Sequence, residues 1–155
     1  MITQTSRQTF QVPINDLFAY LATPKNWVEW NPGTSFVKGP KRPPRENECW
    51  EESLRVSGFH MKVDWVAKQV DAPSLCLMKG EMKLSSPLSW LSHGATVTLR
   101  YDLHNIGEDT HLKRTVSYNF PNPFLRLMDH LFLQRKTERE TVEALSNLKR
   151  IVEDR

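Results

Sequence analysis

The chain reads as an α+β domain. A strongly curved antiparallel sheet of seven strands wraps one long C-terminal helix, and two short helices lie between strands 1 and 2. Three observations predict this. Residues 122–152 carry an apolar stripe at helical spacing, with no glycine and no proline beyond Pro123. Most of the earlier chain alternates apolar and polar residues, the period of a half-buried strand. The alternating stretches are joined by short turns, which allow antiparallel neighbours only.

Residues 2–12 form the first strand, with Ile2, Phe10 and Val12 in one phase and Thr and Gln filling much of the rest. Pro13 ends it and opens a short helix, striped by Ile14, Leu17, Phe18 and Leu21. Thr23-Pro24 starts a second helix of one or two turns bearing Trp27 and Trp30, and Asn31-Pro32-Gly33 stops it. A short strand covers residues 34–38, and a basic, proline-rich loop follows to Arg45. Over residues 48–56, Trp50, Leu54 and Val56 share a face with Glu52. After a turn at Ser57-Gly58, Phe59, Met61, Val63, Trp65 and Ala67 alternate with His60, Lys62 and Asp64. Asp71-Ala72-Pro73-Ser74 makes the next turn, and Cys76, Met78, Met82 and Leu84 mark the inward phase of the strand after it. Residues 85–94 break the alternation. It resumes with Ala95, Val97, Leu99, Tyr101 and Leu103, and then with Leu112, Val116, Tyr118 and Phe120, where Arg114 shares the apolar phase.

Asn122-Pro123 then starts the long helix, with Asn as N-cap and Pro at the first helical position. Phe124, Leu127, Met128, Leu131, Val142, Leu145 and Leu148 supply its apolar face. At 1.5 Å per residue the element is roughly 45 Å long. It cannot bury that stripe alone. Glu138 falls near the centre of the same face on a helical wheel. A carboxylate there either curves out to water or looks into a polar pocket.

With 155 residues, this is one domain with room for a real core. A formal charge of +3 is too small to argue for nucleic acid as a partner. Cys49 and Cys76 have no metal-like spacing and read as reduced thiols. The five histidines make no zinc motif, and no phosphate-binding loop, nucleophile elbow or dinucleotide fingerprint occurs. No metal and no cofactor is expected. The first residues lack the charged-then-apolar layout of a signal peptide, and no run is long enough to span a bilayer, so the expected location is the cytoplasm.

The stretch Phe10-Gln11-Val12-Pro13-Ile14-Asn15-Asp16-Leu17-Phe18-Ala19-Tyr20-Leu21-Ala22-Thr23-Pro24, followed by Trp27-Val28-Glu29-Trp30-Asn31-Pro32, resembles the START-related helix-grip superfamily. The likeness is to its polyketide cyclase/dehydrase and lipid-transport branch, also called SRPBCC. Ile14 stands where Ala is usual and Thr23 where Asp is usual. The resemblance spans nearly the whole chain and implies the helix-grip fold, with a hydrophobic cavity between the sheet and the long helix. It does not imply one chemistry.

Several residues are therefore expected to bind a ligand. Glu52, Arg114 and Glu138 lie in apolar phases and could converge, since buried charges need partners. Trp50, Trp65, Tyr101 and Tyr118 are inward aromatics, each with a polar handle suited to an apolar ligand bearing a few oxygens; ordinary core packing explains them as well. Met61, Met78, Leu99 and Leu131 complete the expected lining. The segment 87–91, with Pro87, Leu88, Trp90 and Leu91, is unusually apolar for a turn. It reads as a lid, as a contact for a membrane or protein, or as core folded back on the Trp27/Trp30 helix. The leading functional expectation is a non-catalytic binder of a hydrophobic small molecule: a lipid, quinone or polyketide-like compound. The alternatives are a cyclase or dehydratase using Glu52 or Glu138 with Tyr118, and a docking module working through Trp90. No catalytic residue is assigned, and ligand identity and oligomeric state stay open.

Overall fold

The protein's structure, a computed structural model, describes residues 2–56, 59–128 and 134–154. Seven strands form one curved sheet: β1 (Ile2–Phe10), β2 (Thr34–Lys38), β3 (Cys49–Val56), β4 (Phe59–Asp71), β5 (Leu75–Leu84), β6 (Thr96–Ile106) and β7 (Asp109–Asn119). Their spatial order is β1-β7-β6-β5-β4-β3-β2, and every neighbouring pair is antiparallel. The first two strands thus lie at opposite edges. The chain crosses between them through α1 (Ile14–Leu21), a single 3-10 turn (Pro24–Asn26) and α2 (Trp27–Trp30). The C-terminal region carries α3 (Pro123–Met128) and α4 (Gln134–Glu153). The predicted single helix over 122–152 is therefore described as these two segments, and residues 129–133, with Leu131, lie outside the described residues.

The alternation seen in the sequence is the alternation of burial. Along β6, Val97, Leu99, Tyr101 and Leu103 are buried, and along β5 the same holds for Cys76, Met78, Met82 and Leu84. In β2 the rule fails informatively. Thr34 and Val37 are both buried although three residues apart, because the register against β3 shifts between Thr34 and Phe36. The extra residue of this bulge returns Thr34 to the inner face.

The predicted cap of the C-terminal region is present: Phe124 N–H donates to Asn122 Oδ1 at 2.9 Å. The face of α4 differs from expectation. Ala144, Leu145, Leu148 and Val152 are buried, whereas Val142 is two-thirds exposed, and Phe124 and Leu127 are also exposed. One turn earlier the buried stripe passes through Thr141, three residues before Ala144 and four before Leu145. Glu138 is exposed. A wheel drawn through 124–152 puts the centre of the face most of a right angle from where α4 packs.

The end of α4 is fastened to β1. Lys149 Nζ donates to Thr9 O at 2.9 Å, and Gln11 N–H donates to Glu153 Oε1 at 2.8 Å. α4 also packs on α1 and α2, and α1 packs on β6 and β7. At this end of the molecule Phe10, Leu17, Leu21, Leu112 and Leu148 are fully buried.

Candidate functional site

Beyond that packed end the sheet and helices stand apart. A cavity of about 310 Å³ lies between them. Its walls are mainly apolar: Met61, Val63, Val97, Leu99 and Val116 come from three strands, and Ala144 from α4. α3 contributes Phe124 and Leu125, and the 85–94 connection contributes Leu88, Leu91 and Ser92. The polar and charged lining residues are Asn31, Glu52, Ser92, Arg114, Glu140 and Thr141. An apolar hollow with a few polar groups is the usual form of a small-molecule site.

Glu52 is the most confined of these groups. It accepts from Thr34 Oγ1 at 2.6 Å and from Trp65 Nε1 at 3.0 Å, so each carboxyl oxygen has a donor. Local structure supplies both. The β2 bulge turns Thr34 inward, and β3–β4 pairing sets Glu52 opposite Val63, one diagonal step from Trp65. Gly80 faces Trp65 from β5, and a Cβ there would run into Val63 Cγ1 and sit 3.1 Å from Trp65 Cε3. The absent side chain leaves room for the indole that holds Glu52. Burial pushes the Glu52 carboxyl above its ordinary range; the Thr34 and Trp65 hydrogen bonds and the positive charge of Arg114 only partly oppose this.

Trp65 belongs to an aromatic cluster. Its ring stacks on Trp50 with centroids 6.3 Å apart, and Trp27 meets both edge-on at 5.8 and 6.0 Å. Trp27 is itself fixed by its indole N–H, which donates to Leu21 O at 3.1 Å. The cluster forms a rigid wall behind Glu52.

On the other side, β6–β7 pairing sets Arg114 directly opposite Tyr101, and brings its positive charge near the phenol. Tyr101 is almost wholly buried, and desolvation holds its phenol well above the ordinary value, against the nearby Arg114 charge. The Nε of Arg114 is buried with no hydrogen-bond partner among the described residues. Tyr118 is half-buried and stacks on Phe120 at 6.0 Å.

Of the residues singled out from sequence, Glu52, Met61, Trp65, Leu99, Tyr101, Arg114 and Tyr118 line the cavity. Trp50 does not: it lies behind Trp65 as part of the wall. Met78 is fully buried in the packed core. Leu131 falls outside the described residues. Glu138 is exposed, which removes it from the polar set and from any acid–base pair with Tyr118; Glu140 and Thr141 line the cavity instead. Sequence reasoning missed those two, although the spacing 141, 144, 145, 148 and 152 was there to be read. In the 87–91 segment Leu88 and Leu91 turn inward to line the cavity, Leu91 buried, and Trp90 between them in sequence stands 68% exposed. Among the described residues no group of His, Cys, Asp and Glu is placed to hold a metal ion, and no helix is long and apolar enough to cross a membrane.

With this geometry in place, comparison with known proteins decides the family. Residues 1–153 match the family model described as polyketide cyclase/dehydrase and lipid transport. The chain belongs to this family. The description joins two uses of one hydrophobic-ligand-binding fold. No curated protein matches the chain. Among solved structures, a conserved protein from Geobacillus kaustophilus is 9% identical with a TM-score of 0.72, covering 97% of this chain and 95% of its own. A protein from Chromobacterium violaceum is 11% identical with a TM-score of 0.71, covering 97% and 96%. Ara h 8.0201 is 12% identical with a TM-score of 0.66, covering 99% of each. At such identities the likeness speaks for the helix-grip fold alone.

Proposed function

We propose that this family member is a non-catalytic carrier that holds a hydrophobic small molecule, such as a lipid, a quinone or a polyketide-like compound, between its sheet and C-terminal helix. The observation that supports this most is the hollow itself: about 310 Å³, walled by apolar side chains, in a domain whose other end is fully packed. Interiors close on themselves wherever side chains allow, so a void of this size is costly unless something occupies it. Leu88, Leu91 and the exposed Phe124 line the cavity near the exposed Trp90, and on this reading a guest enters from that side.

Native mass spectrometry of freshly purified protein tests the reading. The expected result is a retained organic mass that leaves on denaturation. Ala144→Phe, which puts a ring into the cavity from α4, should remove that mass while the cooperative thermal transition persists. A wild-type protein that retains nothing, and whose tryptophan emission is unmoved by apolar probes, would overturn the carrier reading.

A further inference from the structure

The cavity wall carries a charge with no ion-pair partner among the described residues. Arg114 lies on the inner face of β7 among Leu99, Val116 and Tyr118, and brings a planar, cationic guanidinium to it. A cation in apolar surroundings needs an anion close by. None of the described ion pairs involves Arg114. Two carboxyl groups share the lining with it, Glu52 and Glu140. The oxygens of Glu52 are engaged by Thr34 and Trp65, and its burial favours the neutral form. The Nε of Arg114 has no acceptor among the described residues. Trp30, another lining residue, likewise has a buried indole N–H without one. Both of these unmatched atoms are donors, so what is lacking is an acceptor, and beside a guanidinium the fitting acceptor is an anion.

We infer that the ligand is an amphipathic acid: an apolar body in the cavity, with a carboxylate held by Arg114 beside Tyr101. This rests on the carrier reading and narrows it from hydrophobic compounds in general to those with one anionic head. A planar guanidinium can meet a carboxylate through two parallel N–H donors, and such charge-assisted bonds are the strong ones.

The test measures binding to the full-length protein by calorimetric titration with two matched pairs: dodecanoic acid and its methyl ester, and 1-naphthoic acid and its methyl ester. A charge-assisted hydrogen bond predicts that in at least one pair the acid binds roughly 10- to 100-fold more tightly than the ester. Arg114→Gln should bring the acid down to the level of the ester and leave the ester unchanged, and Arg114→Lys should keep part of the preference. Should Arg114→Gln fail to fold, the wild-type ratio and Arg114→Lys still decide. Equal binding of acid and ester by wild type, or equal weakening of both in Arg114→Gln, would overturn the role of Arg114 and leave the carrier reading standing. No binding by any of the four compounds would overturn both.

Discussion

The two ends of this molecule are built from the same sheet and have opposite interiors. At one end Phe10, Leu17, Leu112 and Leu148 leave no space, and α4 is tied to β1 by Lys149 and Glu153. At the other, Met61, Leu99 and Val116 face a hollow. Two like residues show the difference. Met78 and Met61 both occupy the inward phase of a strand, yet Met78 is fully buried and Met61 is half-buried on the cavity wall. What separates them is the layer opposite. α1 and the last turns of α4 bring large side chains to the packed end. Over the hollow, α4 presents Thr141 and Ala144, which are too small to reach across, beside the polar Glu140. An inward direction is set by the strand, and occupancy by whatever the covering helix offers.

The contrast breaks most sharply under truncation. Leu148→Ala should cost about 2–5 kcal/mol, because the packed end cannot collapse onto the space left. Met61→Ala removes a comparable side chain where space already exists, so the cavity term is small and the loss should stay below about 2 kcal/mol. Chemical denaturation of both variants, with ligand removed, checks the pair. Equal losses would mean that the hollow is packed in solution. Overfilling comes next in size. Gly80→Ala drives a methyl group into Val63 and Trp65, and should cost about 1–3 kcal/mol. It should also disturb the Trp65–Glu52 hydrogen bond, read as a shifted indole N–H resonance.

Much of this architecture was legible in the chain. Strand phases follow from side chains alternating on a pleated backbone, and the Asn122 cap from a side-chain oxygen placed two residues before a free N–H. The polar site was half legible. Glu52 and Arg114 stood out as charges in apolar phases, and both line the cavity. Glu138 stood out by the same logic and is exposed. A strand's two faces are fixed by parity, so each charge is placed by the phase of its own strand. A helix has no such parity. Its buried face is chosen by what it packs on, and a few degrees of error per turn accumulate over a long stretch. Thr34 was not legible at all, since only the shift of β2 against β3 turns it toward Glu52.

The smallest expected effect concerns that carboxyl group and has a definite sign. A group whose proton is held more tightly in the folded protein than in the unfolded chain makes the fold most stable at low pH. That stability declines as pH climbs past the unfolded value of about 4.3 toward the higher folded value. Glu52 is such a group, because its desolvation outweighs Thr34, Trp65 and the Arg114 charge. Across this window it should therefore oppose the general gain in stability that other carboxylates bring as they ionise. Glu52→Gln keeps an oxygen for Trp65 N–H and an amide that can donate to Thr34, and it has no proton to lose. The variant should match wild type near pH 4 and become the more stable of the two as pH rises to 7, measured as the difference in denaturation midpoints across the series. Glu52→Ala, which leaves the Trp65 and Thr34 donors without an acceptor, should instead be less stable at every pH. If Glu52→Gln loses ground to wild type as pH rises, the buried carboxyl is held as an anion by Arg114. The cation at the hollow end would then already have its partner inside the protein.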